Sequence, residues 1–251
     1  SMMRWKTIEA ENIIAIVNGT EQPNDVIIVG SYYDTWSVVP GITYGANDAL
    51  GVAWLLELAR FFAQHKPRRT MWFVAFSGHW EAMAGEREFV DKFYFSDEVS
   101  QDILKIWAFI GLGPFSSNSY KLQLLCTSFY AGTGTPFSIL SSRYEWLLKR
   151  MQSEWLRDEG LVAYVSKLTG GLTPDSLVEE RLSNLMWWGS LQRPTFICSE
   201  VIIATNSIAF SIVTSPPLDH EHYFGTPIDD SGSINLAYLK PQLILSSFLI
   251  E

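Results

Sequence analysis

Cysteine and charge are scarce in this 251-residue sequence, and each scarcity excludes a class of protein. The two cysteines, Cys126 and Cys198, lie in apolar stretches. They exclude a disulfide-rich scaffold and predict buried free thiols, with a disulfide between them left open. Charged residues make up 18% of the chain, and 27 acidic against 18 basic side chains give a net charge of −9. The basic run at 66–69 is short and typical of a solvated turn, so we expect no nucleic-acid partner.

Long apolar runs are also missing. No run approaches the ~20 residues that a membrane-spanning helix needs, and no signal peptide is visible. The sequence therefore predicts no transmembrane segment in this chain. The opening Ser1-Met2-Met3 is typical of residues left by cloning, so we expect the chain to be cut from a longer protein.

Apolar and aromatic residues are plentiful instead. Hydrophobic residues make up 47% of the chain and aromatic residues 14%, including 10 Trp, which is typical of a globular domain with a large core. The length suits a single domain over 1–251. Less regular patterning indicates an irregular insertion around 160–194.

Strand-like apolar runs alternate with helical periods along the chain, as in α/β proteins. Asn18-Gly19 between the first two runs is a turn signal that predicts a β-hairpin. Predicted strands cover 12–17, 26–30, 70–77, 103–110, 120–127, 195–201 and 208–214, and predicted helices cover 49–64, 81–93, 141–159 and 233–250. The pattern predicts an α/β fold with a mixed, mostly parallel central sheet flanked by helices.

The stretch from Val26 to Arg60 combines a predicted strand and a predicted helix, each with a carboxylate at its end. Its apolar strand leads to Asp34, and its helix opens near Asp48. An α/β fold places its site at the carboxyl ends of the strands, so we expect these carboxylates to lie near one another.

The motifs in this region resemble the co-catalytic zinc aminopeptidases of the M28-like type, whose non-peptidase relatives include transferrin receptor and nicastrin. They are Gly-Ser-Tyr-Tyr-Asp-Thr-Trp at 30–36, Gly-Ala-Asn-Asp at 45–48 with Gly51, the strand 69–78, and Gly-Glu-Arg-Glu-Phe-Val at 85–90. The last of these is similar to the family's Gly-Ser-Arg-Glu-Phe segment. The resemblance is clear over about 12–111 and implies the aminopeptidase fold.

The family holds two zinc ions with His and carboxylate ligands and uses a Glu as general base. The resemblance assigns residues of this chain to the family's ligand and base positions. Tyr32 takes the position of the first His ligand, Asp48 that of the bridging Asp and His79 that of the general base. Trp80 takes the position of the Glu ligand, Ala108 that of the Asp before the Ile-Gly turn and Gly225 that of the last His ligand. Among the usual ligands only Asp48 is kept. We therefore expect no zinc and no other cofactor, because a lone carboxylate does not hold such a pair.

Other chemistries remain open at these residues. A rebuilt site with one zinc ion would use Asp48 and His79 with His220 or His222. A shift of register would bring Glu81 into the place of the lost Glu, at the cost of a rotation about the helix. A metal-free hydrolase would use His79 as a base beside Ser77 or Ser31, although no nucleophile-elbow motif supports it.

Purely structural interpretations stand beside these. Asp34 would orient the His ligand in the family, but here it would accept a hydrogen bond or cap a loop. Asp48 would cap a helix, His79 and Trp80 would fill the volume of the metals, and the two histidines of the 219–222 segment would lie in a solvated loop. The expected pocket consists of Asp34, Trp36, Asn47, His79 and Glu81.

The favoured interpretation is a catalytically degenerate domain that binds a protein or peptide partner of unknown identity. The alternative is a metal-dependent aminopeptidase or other hydrolase with the rebuilt site. By family analogy alone, we expect an extracytoplasmic or membrane-associated location.

Overall fold

The computed structural model describes residues 7–37, 40–117, 119–125, 157–177, 197–205, 207–214 and 225–250, with the isolated positions 146, 150, 153, 154. The strands are β1 (Ile13–Val17), β2 (Gln22–Tyr32), β3 (Arg69–Phe76), β4 (Lys105–Leu112), β5 (Leu122–Leu125) and β6 (Ala209–Thr214). The helices are α1 (Ala49–Gln64), α2 (Ala84–Phe89), α3 (Asp97–Ser100), α4 (Glu159–Thr169), α5 (Ser199–Ile203) and α6 (Leu236–Ile250). A π-helical turn, Val90–Tyr94, follows α2, and 3-10 turns lie at Pro40–Ile42, Pro174–Leu177 and Ser231–Ser233.

The described strands form one sheet in the order β1-β3-β2-β4-β6-β5. β3, β2, β4 and β6 run parallel to one another. The two edge strands are antiparallel to their neighbours, β1 to β3 and β5 to β6. This confirms the mixed, mostly parallel sheet, and the parallel strands bring their carboxyl ends to the same edge.

The predicted hairpin between β1 and β2 is wrong. β1 pairs with β3, with Ile14 opposite Val74, while β2 lies between β3 and β4. The segment that connects β1 to β2 lies beside the start of β3, where the amide of Thr20 donates to the carbonyl of Pro67. Ile13 in β1 is 61% exposed, which suits an edge strand and not the centre of the sheet.

Side chains of each central strand point alternately to the two faces of the sheet and pack into two hydrophobic cores, one on each face. In β3, Phe73 faces the core built with α1, α4 and α6, and its neighbour Val74 faces the opposite core. That second core receives Phe89 from α2 and Ile202 from α5. Helices on both faces therefore enclose the sheet in three layers.

Two predicted elements differ from the structure. The strand expected over 195–201 overlaps helix α5, Ser199–Ile203, which takes its last three positions and packs Ile202 into the core. A short apolar run without period does not distinguish a strand from a buried helix. The helix expected over 81–93 begins only at Ala84, because Ala82 and Met83 have left-handed backbone angles, with φ of 56° and 55°.

Part of the expected irregular insertion is regular. α4 forms a helix at 159–169, capped by Asp158, whose carboxylate accepts from the amide of Leu161 at 2.9 Å. The remainder of that insertion beyond 177, most of the helix expected over 141–159, and Cys126 lie outside the described residues. Cys198 is a buried free thiol, as expected.

The predicted terminal helix is confirmed as α6, which contains Pro241. Its buried Gln242 accepts from the hydroxyl of Thr214 at 2.6 Å and donates to the carbonyl of Ser116 at 2.9 Å, so the helix is tied to β6. Among the helices that the structure describes, none is long and apolar enough to cross a membrane.

Candidate functional site

The candidate site lies at the carboxyl edge of the parallel strands. Tyr32 ends β2, Asp48 immediately precedes α1, and His79 and Trp80 follow β3. The rings of Tyr32, His79 and Trp80 contact one another, and the phenol of Tyr32 reaches Asp48. The fold therefore brings together four of the residues that the sequence singled out.

Asp48 does not cap α1. Its carboxylate makes no capping hydrogen bond, so the capping prediction is wrong. One oxygen accepts from the hydroxyl of Thr35, and the other accepts from the hydroxyl of Tyr32 at 3.4 Å. The carboxylate is thus bound by these two hydroxyls and not by the first amides of the helix. Thr35 is a partner that the sequence interpretation missed.

Burial also changes the acidity of this carboxyl. Asp48 is only 5% exposed, and desolvation raises its pKa from 3.8 to about 7. The hydroxyl of Thr35 opposes this rise, the charge of Asp229 adds to it, and His79 and the Tyr32 hydroxyl oppose it further. Asp48 therefore titrates near neutral pH.

Tyr32 fills the centre of the site. It is fully buried, and its ring stacks on the imidazole of His79 with centroids 4.2 Å apart and planes 10° apart. Its other contact is edge-on with Trp80 at 5.8 Å. Burial raises the pKa of Tyr32 well above its usual value, and Asp48 adds to the rise. The side chain is therefore a neutral phenol.

Behind the stacked rings lies a second polar group. Nδ1 of His79 is 2.5 Å from Oε1 of Glu86, and both side chains are 0% exposed. Ligand atoms of His79, Glu86 and Cys198 all lie within 4.8 Å of one another. The sequence interpretation did not connect these residues. The available signal was Glu86 itself, an acid where the family segment has Ser.

Asp34 binds the turn after β3. Its Oδ2 accepts from the backbone amide of Trp80 at 3.3 Å, so this carboxylate caps a loop. Glu81 lies exposed in the same turn, where its amide donates to the carbonyl of Gly78. Asp34 therefore positions the turn that carries His79.

Asp229 joins a distant loop to the site and was missed by the sequence interpretation. Its Oδ1 accepts from the amide of Asn47 at 2.8 Å and from the Asn47 side chain at 2.7 Å. Gly225 lies in the same loop, and a Cβ there would come within 2.9 Å of the Trp36 ring. Gly225 and Trp36 are therefore neighbours at the side of the site. His220 and His222 lie outside the described residues.

Ala108 does not reach this edge. It pairs with Ile27 in the middle of β4, five residues before Tyr32 along β2, which corresponds to about 16 Å. Ser31, a suggested nucleophile, is buried and donates its hydroxyl to the carbonyl of Leu112 at 3.0 Å.

A family model and several named proteins match part of the chain. The sequence model "Peptidase family M28" matches residues 12–130. A protein of Pyrenophora tritici-repentis named "Probable zinc metalloprotease" is 39% identical over 83 residues, which cover 31% of this chain and 19% of that protein. A "Vacuolar membrane protease" of Schizophyllum commune is 31% identical over 83 residues, covering 33% and 9%. The matched stretch is thus less than a fifth of either relative.

The fold comparison extends over nearly the whole chain. A zinc aminopeptidase from Bacillus subtilis has a similar structure, with a TM-score of 0.60 and 16% identity. The match covers 94% of this chain and 48% of that one. Residues 12–130 therefore resemble the M28 peptidases in sequence, and the chain has the fold of the zinc aminopeptidases.

Proposed function

We propose that this chain is a non-catalytic M28-like domain that binds a peptide or a segment of another protein at the carboxyl edge of its sheet. One observation carries the proposal. Asp48, the carboxylate at the bridging position, is buried and already accepts hydrogen bonds from the hydroxyls of Thr35 and Tyr32. These two hydroxyls bind the oxygens that a bridging carboxylate would offer to zinc, which supports a non-catalytic role.

The residues at the other metal positions do not fit a zinc pair. Trp80 and Gly225 carry no metal-binding side-chain atom, and Ala108 lies in mid-strand. Tyr32 offers a phenol whose pKa is raised by burial, so it is a poor source of an anionic ligand. Two zinc ions need several N, O or S ligands in a fixed geometry.

Exposed apolar side chains lie in the loops that carry Asp48 and Asp229 and support the binding role. They are Tyr33, Trp36, Ile42, Tyr44 and Ile228, here termed the aromatic rim. Trp36 is 48% exposed and Tyr44 73% exposed. Large amphipathic rings that remain accessible are enriched at recognition surfaces. The net charge of −9 favours a partner with basic as well as apolar residues.

The location is part of the proposal. The Schizophyllum relative is named a vacuolar membrane protease, which supports placing the parent of this domain in a membrane-associated protein. The domain would then act as its extracytoplasmic binding part.

Turnover distinguishes this function from the aminopeptidase with a rebuilt site. We expect aminoacyl-nitroanilides to show no hydrolysis above the blank, with or without added zinc. Zinc-dependent turnover that disappears in Asp48→Asn would overturn the proposal, and variants of His220 and His222 would then identify the ligands. Bound metal without turnover does not count against the binding role.

Binding is tested with a displayed library of random peptides. We expect selected peptides to lose at least about tenfold in affinity for Trp36→Ala, because exposed Trp residues are frequent hot spots. Trp107→Ala is the matched control, since Trp107 is 50% exposed near the opposite end of the strands. Peptides whose binding is equally sensitive to both substitutions would contradict a site at the aromatic rim.

A further inference from the structure

A compact group of metal-binding side chains lies behind the stacked rings. It consists of His79 after β3, Glu86 in α2 and Cys198 at the start of α5, termed here the His-Glu-Cys cluster. One ligand atom from each lies within 4.8 Å of the others. All three side chains are fully buried. The chain thus brings an imidazole, a carboxylate and a thiol together inside the core.

We propose that the His-Glu-Cys cluster binds one divalent transition-metal ion of the zinc type. Imidazole nitrogen, carboxylate oxygen and thiolate sulfur are the three ligand types that Zn²⁺ takes in proteins. The ligand set differs from the family's zinc pair and from the rebuilt site, because neither of these includes Glu86 or Cys198. This inference is independent of the proposed binding function.

The spacing suits a site that closes slightly when the ion binds. Tetrahedral zinc with ligand bonds of ~2.0 to ~2.3 Å separates its ligand atoms by roughly 3.3 to 3.7 Å. Since the ligand atoms lie within 4.8 Å of one another, the widest separation would contract by at most about 1 Å, and the 2.5 Å contact between His79 and Glu86 would open by about 1 Å. Changes of this size lie within side-chain rotation and small shifts of the turn that carries His79.

Charge balance also favours a cation here. A thiolate and a carboxylate carry two negative charges, and a divalent ion neutralises both. A neutral complex costs far less to bury than a separate carboxylate or thiolate, because isolated charges are poorly solvated in an apolar core. The surrounding core includes Phe76, Phe89 and Phe109, so this desolvation applies fully.

The neighbours of Cys198 act on its ionisation in both directions. The backbone amide of Tyr32 donates a hydrogen bond to Cys198, which favours the ionised form. Burial and the neighbouring Glu86 act in the opposite direction and raise the pKa of the free thiol well above its usual value. Metal coordination deprotonates a thiol outright, so a bound ion would overcome this rise in the pKa of Cys198. The proton leaves to solvent as the metal binds.

The site would be structural. Its three ligands are buried, so a water molecule that completed the tetrahedral coordination would be enclosed in the core, out of reach of a substrate. The ion would join the β3–α2 turn to α5 across one face of the sheet. Metal release would then require local opening, which predicts slow exchange with chelators.

Metal content and a cobalt spectrum test the proposal. We expect the full chain, refolded with Zn²⁺ and desalted, to retain about one zinc per chain. Substitution with Co²⁺ should give the thiolate-to-cobalt charge-transfer absorption. Cys198→Ser and Glu86→Gln should each reduce retained metal at least about tenfold, and Cys198→Ser should abolish the absorption. Cys126→Ser is the matched control and should retain both.

Three results would overturn the proposal. The first is wild-type protein that retains no zinc and shows no charge-transfer absorption, which would leave a hydrogen-bonded cluster without metal. The second is retained metal that is insensitive to Cys198→Ser. The third is metal lost in Asp48→Asn or in variants of His220 and His222 but kept in Glu86→Gln. The wild-type cobalt spectrum decides the matter even if a variant fails to fold.

Discussion

Tyr32 stacks on His79 in the position where the resemblance to zinc aminopeptidases places a metal ligand, with ring centroids 4.2 Å apart. The same residue donates its hydroxyl to Asp48, and its backbone amide bonds to Cys198. Tyr32 therefore connects the Asp48 site on one side with the His-Glu-Cys cluster on the other. The side chain of Tyr32 thus contacts a member of each group, Asp48 through its hydroxyl and His79 through its ring.

Truncating Tyr32 should be far more damaging than removing its hydroxyl. Tyr32→Ala leaves a cavity beside His79 and should destabilise the protein by about 3 to 5 kcal/mol. Tyr32→Phe keeps the stacked ring and loses one long hydrogen bond, so about 1 kcal/mol is expected. Urea unfolding followed by Trp fluorescence measures both. Equal losses for the two variants would show that the hydroxyl, and not the ring, holds the site.

Asp48 should make the stability fall with rising pH. Its pKa is 3.8 in the unfolded chain and about 7 in the folded one, so between these values the folded state holds one more proton. The contribution is fully present below pH 3.8 and is lost as the pH rises through about 7. The shift corresponds to at most about 4 kcal/mol.

Asp48→Asn is the control for this pH dependence. The amide is nearly isosteric and does not titrate, so the unfolding free energy of the variant should be flatter between pH 4 and 7, the window set by the two pKa values. Denaturant titrations of both proteins at several pH values give the difference. Parallel profiles would mean that another group causes the dependence.

Asp229 should stabilise the start of α1. Asp229→Ala leaves the buried amide of Asn47 and its side-chain NH₂ without their acceptor, and losing two charge-assisted bonds should cost about 2 to 4 kcal/mol. Asp229→Asn keeps an acceptor oxygen and should cost less. Because the charge of Asp229 also raises the pKa of Asp48, Asp229→Asn should move the Asp48 titration to lower pH. An Asp48 pKa that is unchanged in Asp229→Asn would show that the charge of Asp229 does not act on Asp48.

The central elements were predictable because their signals are local. α1 has the predicted bounds of 49–64, since its apolar period needs no knowledge of a partner. β1 was assigned to the wrong neighbour, because its apolar run resembles that of β2 and pairing is decided by long-range packing. α5 was expected as a strand, since five residues are too few to show a period.

The candidate site was predictable only in part for the same reason. The motifs located Tyr32, Asp48 and His79 because each of these residues lies at or next to the end of a strand or the start of a helix, where the sequence signal is local. Glu86 and Cys198 join His79 from α2 and α5, and only the folded chain brings them together. A buried polar side chain indicates a site only when its partners are known. The partners of Glu86 and Cys198 are far away in the sequence, so no single stretch shows them together.

Gly51 should be intolerant of a side chain. It lies where α1 packs on the end of β4, and a Cβ there would come within 2.6 Å of the Leu112 carbonyl oxygen and 2.5 Å of the Ser31 hydroxyl. Ala is the better helix former by about 1 kcal/mol. The backbone oxygen has no room to move, however, so the clash should outweigh this gain and leave a net loss of about 1 to 3 kcal/mol.

Gly41→Ala is the matched control for Gly51→Ala, because a Cβ at Gly41 meets nothing within 4 Å. Its unfolding free energy should stay within about 0.5 kcal/mol of wild type. The comparison isolates the close approach of α1 to β4 from the general effect of replacing glycine. If Gly51→Ala were as stable as Gly41→Ala, the helix would have to lie farther from the Leu112 carbonyl than described, and Asp48, which precedes that helix, would then be less tightly held against Thr35.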